Sequence, residues 1–190
     1  MFGLILLIVV VFVWAWRAHQ ARLAAFRALA ARHGLEYVEK VSGGVPEPAL
    51  TGFQVFQQGK NRRSANLLQG TWRGHPMRFF EFVYTTGTHK NRHNHRLTVV
   101  AFANEETSLP RFSLHPEHLL HKIGDVFGLH DIDFEHDLEF SKRYFLRGED
   151  EASVRGLFLS SVLEHLKRTS RRCSLEGEGR WLVLSQGPGT

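Results

Sequence analysis

The chain has 190 residues, with 24 Lys and Arg against 19 Asp and Glu, 12 His and a single Cys. That length suits one domain and leaves little room for two. A charged fraction of 23% beside 15 Phe and 4 Trp excludes a disordered chain, and one Cys excludes a disulfide framework and any Cys-pair zinc or redox motif.

Residues 2–16, FGLILLIVVVFVWAW, carry no charge. As a helix they span roughly 22–24 Å, short of the roughly 30 Å hydrocarbon core of a bilayer. Arg17 is placed to snorkel and lengthen the span, and Trp14 and Trp16 fall where an interfacial aromatic belt belongs. No basic region precedes Phe2 and no small-x-small site follows closely, which argues against a cleaved signal peptide. A buried core helix would have to be swallowed whole by a small domain. The expectation is a transmembrane anchor over residues 1–17. Arg17, Arg22, Arg27 and Arg32 follow it with no acid among them. Positive-inside bias then puts the N-terminus outside and the C-terminal domain in the cytoplasm. Residues 18–34 are rich in helix formers and read as a juxtamembrane helix ending at Gly34. Its Arg residues step around by about 140° and form no single stripe, while Leu23, Phe26 and Ala30 are placed to dock on the domain.

Residues 35–190 read as one cytoplasmic domain. Strands are predicted at 35–39 (LEYVE), 52–59 (GFQVFQQG), 65–74, 75–86 and 96–105, the third and fourth as a hairpin with an Arg73-Gly74-His75-Pro76 turn between them. A long polar connector, TGTHKNRHNH, separates the last two. An extended stretch at 111–115 leads to a helix over 116–128 opened by Pro116. Residues 131–140 alternate acidic or polar with apolar residues, and 144–148 is a further strand. The clearest helix is 149–168, with Val154, Leu157, Phe158, Val162 and Leu166 on one stripe and Glu149, Asp150 and Glu151 at its positive end. A hairpin around Gly177-Glu178-Gly179 closes the chain. Strands and helices without regular βαβ alternation indicate α+β: an N-terminal transmembrane helix followed by a mainly antiparallel sheet covered by two helices.

Several short motifs share a cadence: Pro110-x-Phe112-x-Leu114-x-Pro116-Glu117, Asp131-Ile132-Asp133-Phe134, Phe140-Ser141, and Tyr144-Phe145-Leu146-x-Gly148-Glu149-Asp150, then Val154-Arg155 and the Glu-Gly-rich hairpin. With Asn66-Leu67-x-x-Gly70 and Phe82-x-Tyr84, the chain over most of residues 53–185 resembles families of uncharacterised bacterial single-pass membrane-anchored proteins, domains of unknown function. The resemblance implies a bacterial source, hence a bacterial inner membrane, and brings no catalytic residue with it.

Histidine carries the strongest chemical signal. His89, His93 and His95 lie in one connector and form a candidate metal set. Lys90, Arg92 and Arg96 are interleaved with them and repel a cation, and the connector holds no carboxylate to orient an imidazole. His115, His118 and His121 recur every three residues, with His118 and His121 sharing a helix face, but H-E-x-x-H is absent. The acids Asp131, Asp133, Glu135, Asp137 and Glu139 offer oxygen ligands or an acid–base pair. Read as an EF-hand from Asp131, however, the loop has His136 where Gly is needed and Lys142 where Glu is needed. Gly59-Lys60 fails as a P-loop, and G-x-G-x-x-G and G-x-S-x-G are absent. Cys173 reads as a strand residue.

Charge is uneven. Residues 57–96 hold eight Lys and Arg and one acid, Glu81, whereas residues 102–151 are acid-rich. Two basic connectors flank the 65–86 hairpin and should meet at one end of the sheet. Lipid-headgroup contact is therefore expected at Arg17, Arg22, Lys60, Arg62, Arg63, Lys90, Arg92 and Arg96. The expected partners are the bilayer through residues 2–17, anionic headgroups, and a second copy through opposite charges. Nucleic acid is disfavoured, although aromatics at Phe79, Phe80, Phe82 and Tyr84 are interleaved with the basic residues. No cofactor and no catalytic residue is expected. The reading is a membrane-anchored cytoplasmic binding or scaffold module. The alternative is a metal-binding protein or metal-dependent hydrolase using the His-rich connector or the acidic segment.

Overall fold

The structure is a computed structural model and describes residues 2–117, 129–134, 137–169 and 172–187. Its elements in chain order are α1 Phe2–His33, β1 Glu36–Lys40, α2 Gln54–Gln57, β2 Lys60–Trp72, β3 His75–Thr86, β4 His93–Ala103, β5 Leu109–Pro116, β6 His130–Asp131, α3 Leu138–Ser141, β7 Tyr144–Gly148, α4 Glu151–Leu157, α5 Ser160–Arg168, β8 Ser174–Gly179 and β9 Trp181–Gln186. Among the described residues the strands form one nine-stranded sheet in the order β1-β2-β3-β4-β9-β8-β5-β7-β6. Every pairing in it is antiparallel.

Local chemistry explains the long hairpin. Trp72 pairs with His75, which leaves a two-residue turn whose Arg73 and Gly74 both have positive φ, 52° and 86°. That is the turn whose twist matches the flanking strands. The register of β2 on β3 shifts between Lys60 and Arg63 and again between Ala65 and Leu68. Asn61 and Asn66 sit at those shifts with φ of 52° and 54°, as Asn tolerates at bulges. Extra residues in β2 thereby turn Asn66 inward.

The two faces of the sheet are covered in different places. On the first face Phe80, Phe82, Val99, Ala101 and Val183 pack under Leu50, Phe53, Val55 and Phe56 from the segment between β1 and β2. Phe56 lies edge-on to Phe82, with ring centroids 5.0 Å apart. On the second face α3, α4 and α5 cover the β8-β5-β7 half, burying Phe112, Leu114, Phe140, Tyr144, Leu146, Val154, Phe158, Leu163 and Leu166. The C-terminal half of α1 covers the β1-β2-β3 half of this face through buried Leu23 and Ala30 and through Phe26, whose ring stacks on Tyr37 at 6.3 Å. The close passage of strands needs small residues: a Cβ at Gly177 would stand 2.2 Å from the Phe112 ring.

Several expectations are corrected here. The fold is mostly β, one large antiparallel sheet with few and mainly short helices, not α+β behind a membrane helix. Among the described residues no helix is long and apolar enough to cross a membrane. This overturns the transmembrane anchor, the single-pass inner-membrane placement and the cytoplasmic orientation built on it. The physical reason is length: the unbroken apolar run spans about 22 Å against about 30 Å of hydrocarbon. α1 continues through residue 17 as one helix whose later half belongs to the sheet.

Residues 52–59 are not a strand. β1 and β3 already occupy both edges of β2, and the segment instead makes the helical turn α2, which turns Val55 and Phe56 into the core. The long polar connector shrinks to residues 87–92, because β4 begins at His93. The helix over 149–168 is two helices. Phe158 leaves helical geometry at φ −93°, ψ 59° to enter the core, and Leu159 is extended. α5 then turns Leu163 and Leu166 inward and leaves Leu159 62% and Val162 37% exposed. Asp150 caps α4 by accepting from the Ser153 N–H. The acidic alternation ends in the short strand β6 and in α3, where Asp137 accepts from the Phe140 N–H. The helix expected over 116–128 lies largely outside the described residues.

Candidate functional site

Three arrangements of polar side chains stand out, and the first seats α1 on the sheet. Glu81 lies on β3 and is 7% exposed. Its Oε2 accepts from Asn66 Nδ2 at 2.6 Å, and Asn66 Oδ1 accepts from the Tyr37 hydroxyl at 2.9 Å. Arg22 of α1 pairs with Glu81 Oε1, and Arg96 of β4 approaches the same oxygen at 4.0 Å. Partial burial, and then the Arg96 charge, lower the affinity of Arg22 for its proton. Arg27 adds a 3.1 Å ion pair with Glu39 and lies over the Tyr37 ring. A carboxylate this deep must be paired and hydrogen-bonded, and helix, bulge and neighbouring strand all supply partners.

The second arrangement lies on the first face, across β5 and β8. Glu176 is opposite Ser113. It is 5% exposed and accepts from the backbone N–H groups of Gln54, at 2.6 Å, and Val55, at 2.9 Å. Burial pushes its carboxyl up to about 7, against the opposing pull of those two N–H groups and of Arg111. His115, 4% exposed, shares a 3.3 Å hydrogen bond between Nε2 and Gln54 Oε1. Burial, with the Arg147 charge second, lowers it to about 4. Both groups thus clasp the start of α2 from strands more than 60 residues away in sequence.

The third arrangement is a basic end. Lys60 pairs with Thr85, and Arg63 with Val83. The β3–β4 turn, which carries His89, Lys90 and Arg92, leaves β3 at Thr86. The starts of β2 and β4 therefore share one end of the sheet, as the hairpin register predicts. Lys60, Arg63, His89, Lys90, Arg92 and His93 are exposed there. Arg62 is also exposed but donates to the carbonyls of Gln57, Gln58 and Gly59.

Sequence-predicted residues are thus divided. Lys60, Arg63, Lys90 and Arg92 gather at this end, and Arg17 is exposed on α1, while Arg22 and Arg96 turn to Glu81. His95 is committed elsewhere: its ring stacks on Tyr84 at 4.8 Å and its Nε2 lies 2.7 Å from the Thr86 hydroxyl. Among the described residues no group of three His, Cys, Asp or Glu side chains converges to hold a metal, so His89, His93 and His95 are not brought together as a ligand set. His118 and His121 lie outside the described residues. Cys173 is half-buried and its thiol is pushed up by burial, the opposite of a reactive thiolate.

No family model matches the chain, and no curated protein matches it. Among solved structures it is similar to the crystal structure of the mycobacterial trehalose monomycolate transport factor A, TtfA. The likeness covers 87% of this chain and 81% of that one at 12% identity, with a TM-score of 0.58. At that identity the likeness is one of fold.

The buried partners of α1 and α2 were missed in the sequence. Glu81 carried a signal, as the lone acid in a basic, aromatic stretch on the side of β3 opposite Phe80 and Phe82. Glu176 carried none, since alternation with Leu175 reads as a solvated face.

Proposed function

We propose that the chain is a binding module that engages an anionic lipid surface through the basic end of its sheet. The observation that supports this reading is the gathering of Lys60, Arg63, Lys90 and Arg92 at one end, exposed, in a stretch whose one acid, Glu81, is buried. The buried ionisable groups point the same way. Glu81, Glu176 and His115 are each spent on joining elements, which is scaffold work rather than acid–base chemistry. Similarity of fold to a transport factor accords with a binding role.

Each Lys or Arg near such a surface contributes about 1 kcal/mol, attenuated over the Debye length. The full chain is expected to sediment with phosphatidylserine-containing vesicles and not with phosphatidylcholine vesicles, and to be released as salt rises. Neutralising Lys60, Arg63, Lys90 and Arg92 together to Gln should lower the affinity by at least tenfold. Equal binding to neutral vesicles, or unchanged binding by the quadruple variant, would reject the reading.

A further inference from the structure

We infer that the sheet stands end-on against that anionic surface, with Trp14, Trp16 and Arg17 of α1 seated among the headgroups beside the β3–β4 turn. This inference rests on the lipid-binding reading and adds an orientation and an aromatic contact.

The direction of α1 comes from its contacts with β3. Phe26 lies 6.1 Å from Phe79 between ring centroids, and Arg22 pairs with Glu81. Four residues back along the helix therefore match two residues forward along the strand, about 6 Å in each case. The helix, followed toward its N-terminus, runs with β3 toward the basic end. Trp16 lies about 9 Å and Trp14 about 12 Å beyond Arg22, whereas β3 ends at Thr86, about 16 Å beyond Glu81. The tryptophans thus come level with the last residues of β3, where Lys60 pairs with Thr85. They are 72% and 57% exposed, and amphipathic rings of this kind settle at a lipid–water boundary.

The opposite end of the sheet carries the opposite charge. The β4–β5 connector holds Glu105 and Glu106, the β8–β9 turn Glu178, and the start of α4 Glu149, Asp150 and Glu151. Three of these acids are answered, Glu105 by Arg180, Glu178 by Arg111 and Glu151 by Arg155. An anionic surface attracts one end of such a molecule and repels the other. The other two tryptophans mark the far end, since Trp72 pairs with His75 at the hairpin tip and Trp181 with Ala103.

The four tryptophans make the orientation readable. The full chain is bound to phosphatidylserine-containing vesicles with brominated acyl chains, which quench indole fluorescence at short range, and sedimentation is followed in parallel. The wild-type chain is expected to lose about half of its fluorescence, and the W14F/W16F variant, reporting only Trp72 and Trp181, under a tenth. Both positions are exposed, so the variant keeps its core. Sedimentation with no quenching in the wild type, or with equal quenching in the variant, overturns the end-on arrangement and leaves lipid binding standing. Absence of sedimentation overturns lipid binding itself. Salt-sensitive dimerisation without vesicle binding would assign the basic end to the acidic end of a second copy and overturn both.

Discussion

Arg22→Ala is expected to destabilise the chain by about 3 kcal/mol, the scale on which an uncompensated buried charge is penalised. The penalty falls on Glu81 rather than on Arg22, which is 40% exposed along its side chain where Glu81 is 9%. Once Arg22 is gone, Glu81 keeps one strong donor, Asn66 at 2.6 Å, and a distant Arg96 at 4.0 Å. The double variant Arg22→Ala/Glu81→Gln removes the orphaned charge and should recover more than half of the loss. Denaturant unfolding of the wild type, both single variants and the double variant gives the coupling between the two residues. A loss below about 0.5 kcal/mol for Arg22→Ala would make this an ordinary surface pair and leave α1 held by Leu23, Phe26 and Ala30 alone.

The second large effect is a pair of opposed pH dependences. Glu176 is raised from 4.5 to about 7, so its contribution to stability is complete below pH 4.5 and is lost as pH rises through 7. His115 is lowered from 6.5 to about 4, so its contribution is present above pH 6.5 and is lost as pH falls through 4. Each is worth roughly 3 kcal/mol across its window. Between pH 4.5 and 6.5 the two slopes oppose each other, and the wild type should unfold at nearly constant stability. Arg147 faces His115, Arg111 and Glu178 face Glu176, and Gln54 joins the two groups.

Glu176→Gln leaves the histidine alone, so stability should fall by about 3 kcal/mol as pH drops from 6.5 to 4. His115→Gln leaves the carboxyl alone, and stability should fall by a similar amount as pH climbs from 4.5 to 7. Urea midpoints at half-unit pH steps decide it. Parallel profiles for the wild type and both variants would mean that neither group titrates against the fold.

What was legible in the sequence followed from local signals. Alternation over 75–86 and the turn signal at Arg73-Gly74-His75-Pro76 predict the central hairpin, although His75 and Pro76 prove to be paired strand residues, and the hairpin pairing alone places the two basic connectors at one end. The docking of Leu23, Phe26 and Ala30 was readable from their spacing and is seen. Features decided by distant strands were not readable. Residues 52–59 have strand composition, but both sides of the neighbouring strand β2 are taken by β1 and β3, and the Glu176 carboxylate 122 residues away from Gln54 ties them into a helical turn. The stripe through Val162 read as one helix because periodicity does not register the turn at Phe158, which the ring makes to meet Phe112 at 5.4 Å. The apolar run at 2–16 argued for an anchor by composition, whereas among the described residues no helix is long and apolar enough to cross a membrane. Of the basic residues, Arg22, Arg62 and Arg96 were indistinguishable in sequence from the others, because their partners, Glu81 and the carbonyls of 57–59, are brought to them by the fold.

The most direct measurement is amide hydrogen exchange of the full chain, free and bound to phosphatidylserine-containing vesicles. Bound chain should gain protection at residues 60–63 and 87–93 and exchange unchanged at 73–75 and 104–107, at the other end of the same strands. Protection confined to 73–75 and 104–107, or spread equally over both ends, would contradict binding through the basic end.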